Sequence, residues 1–166
     1  MAEKPEAKLV VTSTAFGEGQ MIPSKHTSDG ENVSPDISWE GAPEETKTFV
    51  LITEDPDVPM KGLSLFTVVH WLVYDIPSAV TSLPEAIARE ETLDNGAKQG
   101  KMSLGRIGYA GPSPPFGTHR YYFKVYALDT VVSLEPRKAT KKKVLSAIEG
   151  HVLAYGELMG RYKRHR

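Results

Sequence analysis

The stretch GPSPPFGTHRY, residues 111–121, begins with the proline and glycine residues of a loop. It ends on three side chains that can form hydrogen bonds or ion pairs: His119, Arg120 and Tyr121. Its three prolines fix φ and remove backbone donors, while its glycines allow close approach, so the loop is expected to hold one shape. The stretch that follows, YYFKVYAL, is rich in aromatic and β-branched residues and predicts a strand from Tyr121 to Leu128. His119 is therefore expected where a rigid loop enters a sheet. Strand alternation would place His119 and Tyr121 on one side and Arg120 on the other.

The 166 residues fit a single domain spanning residues 1–166, with residues 1–7 and 161–166 expected to be flexible. Hydrophobic residues make up 40% and charged residues 25% of the chain, proportions that are typical of globular proteins. The lack of cysteine rules out disulfides and thiol chemistry. The N-terminus is polar, and the longest nearly apolar run, residues 66–74, is far shorter than the ~20 residues of a membrane-spanning helix. We therefore expect a soluble, cytoplasmic protein without a membrane span.

The remaining pattern predicts a mostly β fold closed by one late helix. Apolar residues recur at steps of three and four between Thr140 and Gly160, which predicts an amphipathic helix there, and a shorter helix is expected around residues 85–90. Four further runs are expected to be strands: Lys8 to Thr12, Ile37 to Trp39, Thr48 to Thr53 and Leu65 to Ile76.

The charge of the chain is unevenly distributed. The net charge is −1, yet residues 137–166 carry +7 and residues 1–136 carry −8. A basic segment can bind nucleic acid or an anionic membrane. Neither a groove-reading motif nor an aromatic-basic repeat accompanies this one, so we interpret it as a solvated helix face with a frayed tail and expect no nucleic-acid partner.

Two further stretches carry candidate functional residues. DPDVP, residues 55–59, holds two acids alternating with two prolines after a predicted strand, and an ordinary turn remains an alternative. Asp57 is our candidate partner for Arg120. His70 lies in an apolar run, where a buried imidazole needs hydrogen-bond partners, so it is either a satisfied core histidine or part of a site.

These stretches together resemble one family. DPDVP, the His70-Trp71 pair and the loop ending in GTHRY resemble, in this order, the phosphatidylethanolamine-binding protein family, also called the Raf kinase inhibitor protein family. TSDGENVSP at residues 27–35, YDIP at 74–77 and EGHVLA at 149–154 are similar to its prokaryotic branch. The resemblance implies two packed, largely antiparallel sheets with a C-terminal helix and a small pocket for phosphate-like anions or phospholipid head groups. It implies that Asp55, His70, His119 and Tyr121 line the pocket, that Pro59, Tyr109 and Gly111 shape its rim, and that Asp57 and Arg120 support it.

The leading functional hypothesis is a non-catalytic binding protein that could regulate a partner protein. Two imidazoles and a phenol can donate to ligand oxygens, and Asp55 can accept from an ammonium or hold a histidine tautomer. The alternative is an inhibitor of a serine protease or a kinase that acts through a surface loop. Two histidines and a carboxylate also match iron or zinc ligands, but their spacing carries no metal signature and no hydrolase motif is present. We therefore expect neither catalysis nor a metal or cofactor. The resemblance also implies a possible homodimer, because prokaryotic relatives often form homodimers, and the oligomeric state stays open.

Overall fold

The computed structural model describes residues 7–164 and consists mostly of strands paired into two sheets. A single α-helix is present within this part of the chain, and 3₁₀ turns occur at Ser24–His26 and Pro136–Lys138. The strands and the helix, in chain order, are β1 Ala7–Lys8, β2 Val10–Thr12, β3 Ile37–Glu40, β4 Thr48–Met60, β5 Leu63–Pro77, β6 Ser82–Leu83, β7 Lys98–Gln99, β8 His119–Leu128, α1 Lys141–Ile148 and β9 Val152–Tyr162.

The large sheet has the strand order β1-β9-β8-β4-β5-β7, and the small sheet has the order β2-β3-β6. Their strands pair antiparallel, except that β1 runs parallel to β9. The long neighbours β4, β5 and β8 form the centre of the large sheet. The predicted fold class, two largely antiparallel sheets with a C-terminal helix, is confirmed.

The large sheet is buried on both faces. One face packs against the small sheet, where Trp39 of β3 meets Phe49 of β4 edge to face at 5.4 Å between ring centroids. The other face is covered by α1, whose Val144 and Ile148 are buried against Ile52 and neighbouring apolar residues. Burial on both faces explains why β4 and β5 have nearly continuous apolar centres rather than a simple alternation.

The predicted strands are present, but two of them extend further than expected. β4 continues beyond Thr53 to Met60, so the DPDVP stretch lies inside a strand and not in a turn after it. The predicted strand Lys8 to Thr12 is divided, with β1 pairing to the large sheet and β2 to the small one. β8 begins at His119, as the loop-to-sheet interpretation required.

The prediction of one helix from Thr140 to Gly160 is wrong beyond Ile148. Thr140 does cap the helix, since its Oγ1 accepts from the backbone N–H of Lys143 at 3.3 Å. Gly150 then adopts φ = 82°, and the chain returns as β9 along the whole of β8. A Cβ on Gly156 would lie 2.1 Å from the carbonyl oxygen of Leu9. Glycine is therefore required at this position of β9.

Two other local predictions are wrong. Residues 85–90 form no helix, and the side-chain amide of Gln99 donates to the carbonyls of Ala88 and Glu90 at 2.8 Å in place of helical N–H groups. The expectation of flexibility fails for Ala7, which pairs in β1, and for Arg161 and Tyr162, which lie in β9. Residues 1–6 and 165–166, which were also expected to be flexible, lie outside the described part of the chain.

None of the helices described within residues 7–164 is long and apolar enough to cross a membrane.

Candidate functional site

Four of the predicted site residues come together between the sheets, and we call Asp55, His70, His119 and Tyr121 the buried cluster. Their exposed fractions are 2%, 9%, 0% and 1% in that order. Three strands supply them: β4 carries Asp55, β5 carries His70, and β8 carries the other two. Since His70 is the most exposed member, it marks the side from which solvent comes closest to the cluster.

Both ring nitrogens of His119 form hydrogen bonds with other protein groups. Its Nε2 lies 2.9 Å from the carbonyl oxygen of Pro59 and 3.0 Å from that of Phe116, so Nε2 must carry a proton, because carbonyl oxygens only accept. Its Nδ1 lies 2.6 Å from Oδ2 of Asp55, and a second proton must lie between them. Whether that proton resides on nitrogen or oxygen, the pair has no net charge. Consequently His119 has no free N–H to donate, which corrects the expectation that both imidazoles face a ligand.

A bulge in β5 turns His70 toward the cluster. The pairing steps from Thr53 opposite Trp71 to Glu54 opposite Val69, so His70 is the extra residue. Regular alternation would place His70 on the same face as Leu72, but with this extra residue the His70 ring meets Tyr121 edge to face at 5.4 Å.

The two ring nitrogens of His70 differ in their surroundings. Nδ1 donates to the carbonyl of Ala110 at 2.6 Å, and Nε2 has no hydrogen-bond partner among residues 7–164. Burial lowers the pKa of His70, only partly offset by its bond to Ala110 and by the charge of Asp55. A neutral ring with a proton on Nδ1 leaves Nε2 as a free acceptor that becomes a donor on protonation.

The Tyr121 hydroxyl makes no hydrogen bond of ordinary length and angle in the described part of the chain, although it is buried. Its ring stacks on His119 at 6.4 Å between centroids. Burial raises the pKa of Tyr121, and the nearby Asp55 carboxylate adds to this effect through its charge and as an acceptor close to the hydroxyl. The hydroxyl therefore stays protonated at neutral pH and can donate.

Asp57 and Arg120 form the expected pair beside the cluster. Asp57 is fully buried and accepts from the backbone N–H, Nε and Nη2 of Arg120 at 2.8–2.9 Å. These bonds to Arg120 hold the pKa of Asp57 below its ordinary value. Residues two apart on a regular strand share a face. The irregular pairing between Asp55 and Val58, next to a cis bond before Pro59, lets the two carboxylates contact opposite faces of β8.

The predicted rim residues hold the surrounding loops. The carbonyl of Pro59 accepts from His119, and the Tyr109 hydroxyl donates to the carbonyl of His26 at 2.6 Å. The backbone N–H of Gly111 donates to Oδ1 of Asn32 at 2.7 Å, and a Cβ on Gly111 would lie 2.2 Å from the carbonyl oxygen of His26. The glycine is thus required by this contact.

Sequence reasoning missed two residues that support this region. Asn32 adopts φ = 60° within the turn-rich stretch TSDGEN, and Arg89 donates to the carbonyls of Tyr109 and Asn32. The turn signal could have drawn attention to Asn32, but no pattern around Arg89 sets it apart. A groove of about 320 Å³ lies against Arg89, Tyr109 and Ala110, on the segment that also accepts from His70.

The chemical capacity of the cluster follows from its free atoms. Tyr121 offers one donor, and His70 offers one acceptor that protonation converts to a donor. Within residues 7–164, no three His, Cys, Asp or Glu side chains are grouped as metal ligands. The geometry favours a ligand with oxygen acceptors.

Comparison with known proteins places this arrangement in context. A model of the phosphatidylethanolamine-binding protein family matches residues 12–163. The chain is 47% identical over 150 residues to a UPF0098 protein of Methanothermobacter thermautotrophicus, covering 90% of this chain and 95% of that one. It superposes on CT736, a homologue of the same family from Chlamydia trachomatis, with a TM-score of 0.85 and 41% identity over 95% and 99% of the two chains. The TM-score with Escherichia coli YbcL is 0.84 at 32% identity, over 96% and 100%.

Proposed function

The chain belongs to the phosphatidylethanolamine-binding protein family, and we propose that it is a non-catalytic binding protein for a phosphate-like anion or a phospholipid head group. The ligand would occupy the side of the buried cluster formed by His70 and Tyr121. The observation that carries the proposal is the Tyr121 hydroxyl, which is buried beside Asp55 and makes no hydrogen bond of ordinary length and angle among residues 7–164. An unpaired buried hydroxyl costs about 1–3 kcal/mol, and a ligand oxygen that accepts from it removes this cost.

His70 supplies the second contact. A phosphate oxygen accepts from the Tyr121 hydroxyl and from Nε2 of His70 once that nitrogen is protonated. Hydrogen bonds from an imidazolium to an anion are roughly twice as strong as neutral ones. The neighbouring pair of Asp55 and His119 has no net charge, so it opposes an anion far less than a free carboxylate would.

The sign of the pH dependence follows from burial. In the free protein the pKa of His70 is lowered by desolvation, so the ring is neutral at pH 7. A bound anion favours the imidazolium and raises that pKa. Affinity is then highest at low pH and falls as pH rises between the free and bound pKa values, by up to about tenfold per pH unit.

In this proposal His119 positions the site without contacting the ligand. Its ring links Asp55 of β4 to the carbonyls of Pro59 and Phe116, which belong to two different segments. It also stacks on Tyr121, so it fixes the orientation of the phenol. The rigid, proline-rich loop before His119 supplies one of the two carbonyls.

Calorimetric titration of Tyr121→Phe with phosphoethanolamine tests the proposal. Losing one hydrogen bond to a charged group should weaken binding by about 1.5–3 kcal/mol, while stability should hold or rise because an unpaired buried hydroxyl is removed. Tyr126→Phe is the matched control, since Tyr126 lies on the opposite face of β8 against Tyr155. Undiminished binding by Tyr121→Phe would place the ligand elsewhere.

Regulation of a partner protein, inhibition of a serine protease or kinase, and homodimer formation stay predictions from the sequence.

A further inference from the structure

Beyond the buried cluster, β4 and β5 project as a hairpin whose end we call the arm, residues 58–67. All side chains from Lys61 to Thr67 are exposed, whereas β4 and β5 are buried closer to the centre of the sheet. Large apolar side chains occupy this exposed end: Met60, Leu63, Leu65 and Phe66, joined by Phe116 from the neighbouring loop. An exposed apolar group of this kind marks an interaction surface.

The two most exposed apolar side chains of the arm are neighbours in sequence. Leu65 is 64% exposed and Phe66 is 65% exposed, and Leu65 is the extra residue where the pairing steps from Val58 opposite Phe66 to Pro59 opposite Ser64. The apolar end of a projecting hairpin can enter a lipid interface.

The charge around the arm suits an anionic surface. Residues 58–67 and the loop 112–118 contain a single charged residue, Lys61. β9 ends at Tyr162, opposite His119, so Lys163 and Arg164 follow at the same end of the large sheet. The two acids nearest the arm in sequence, Asp55 and Asp57, are buried and form hydrogen bonds with His119 and Arg120 respectively.

The arm is also continuous with the buried cluster. Pro59 directly precedes the exposed Met60. The carbonyl of Pro59 and the carbonyl of Phe116 both accept from Nε2 of His119. The two segments that carry the exposed apolar residues therefore converge on one imidazole.

We propose that the arm and Phe116 insert into the interface of an anionic phospholipid membrane, with Lys61, Lys163 and Arg164 contacting phosphates. This rests on the proposed function, because it explains how a lipid head group reaches the cluster. Apolar insertion combined with basic residues is the usual basis of peripheral membrane binding.

Sedimentation of the full chain with vesicles tests the inference. Vesicles of phosphatidylethanolamine and phosphatidylglycerol should bind the protein more tightly than phosphatidylcholine vesicles, and added salt should weaken binding. The double variant Leu65→Ser/Phe66→Ser should lose at least about tenfold in vesicle affinity. The matched control is Leu104→Ser/Val131→Ser, at two exposed apolar positions outside the arm, and it should bind as the parent does.

A second variant and a second readout separate the possible outcomes. Lys61→Glu should weaken vesicle binding through charge alone, and soluble phosphoethanolamine should bind all arm variants as it binds the parent. Equal vesicle binding by Leu65→Ser/Phe66→Ser and the parent overturns the inference. So does a dimer that this variant converts to monomer, since the arm would then contact a second copy. A parent that binds these vesicles but not phosphoethanolamine contradicts the proposed function and leaves insertion of the arm supported.

Discussion

Asp57→Ala is expected to lower the free energy of unfolding by about 3 kcal/mol. Asp57 is fully buried and receives three hydrogen bonds from Arg120, one of them from its backbone N–H. Removing one partner of a buried ion pair costs roughly 3–5 kcal/mol. The Arg120 side chain is 33% exposed and regains part of its hydration, which places the cost at the lower end of that range.

Urea unfolding measures this loss, and thermal unfolding should show a melting temperature lower by about 6–12 °C. Asp129→Ala is the matched control, because Asp129 pairs with His151 at 2.8 Å where both side chains are more than 40% exposed. Such surface pairs contribute about 0–1 kcal/mol. Equal losses in the two variants would refute the view that Asp57 and Arg120 anchor the site.

The same pair gives stability a defined acid dependence. Bonding to Arg120 lowers the pKa of Asp57 from its ordinary value of 3.8, so the carboxylate stabilises the fold at neutral pH. Its contribution is fully present above the unfolded pKa and is lost as pH falls through the folded pKa, that is, below about pH 4. In Asp57→Asn this loss should be absent, so the stability difference from the parent should shrink on acidification.

Two other predictions concern β9. Truncation after Gly160 should lower the free energy of unfolding by about 3–5 kcal/mol, measured by urea unfolding, because it removes Tyr162. Tyr162 is 1% exposed, and its hydroxyl donates to Asp29 at 2.5 Å. An unchanged stability would mean that this residue does not pack as described. Gly156→Ala should cost about 1–3 kcal/mol, since its Cβ would overlap the carbonyl of Leu9, and a neutral effect would contradict the tight contact between β9 and the chain before β2.

Local rules were enough to predict part of the site. Alternation along β8 correctly placed His119 and Tyr121 opposite Arg120, because strand geometry depends only on neighbouring residues. The pairing of Asp57 with Arg120 was also anticipated, because a turn fixed by prolines needs an anchor.

The position of His70 could not be obtained in this way. Its face depends on a bulge opposite Thr53 and Glu54, and that register is set by contacts distant in sequence. The hydrogen bonds from His119 to the carbonyls of Pro59 and Phe116 could not be predicted either, because they depend on how two separate segments converge.

The false helix after Ile148 has a different cause. Apolar residues between Val152 and Tyr162 satisfy both a helical and a strand period over short distances. Pairing with the full length of β8 buries Ala154, Leu158 and Tyr162 between the sheets, and this tertiary contact overrides the local pattern.

In the proposed complex an anion binds between His70 and Tyr121 and favours the protonated form of His70, which takes its proton from solvent. Imidazole nitrogen NMR of the full chain, recorded across pH with and without phosphoethanolamine, tests this at the atom concerned. The pKa of His70, lowered by burial in the free protein, is expected to rise when the ligand is bound. An unchanged or lower pKa of His70 in a complex that calorimetry shows to be formed would rule out an anion bound to this imidazole.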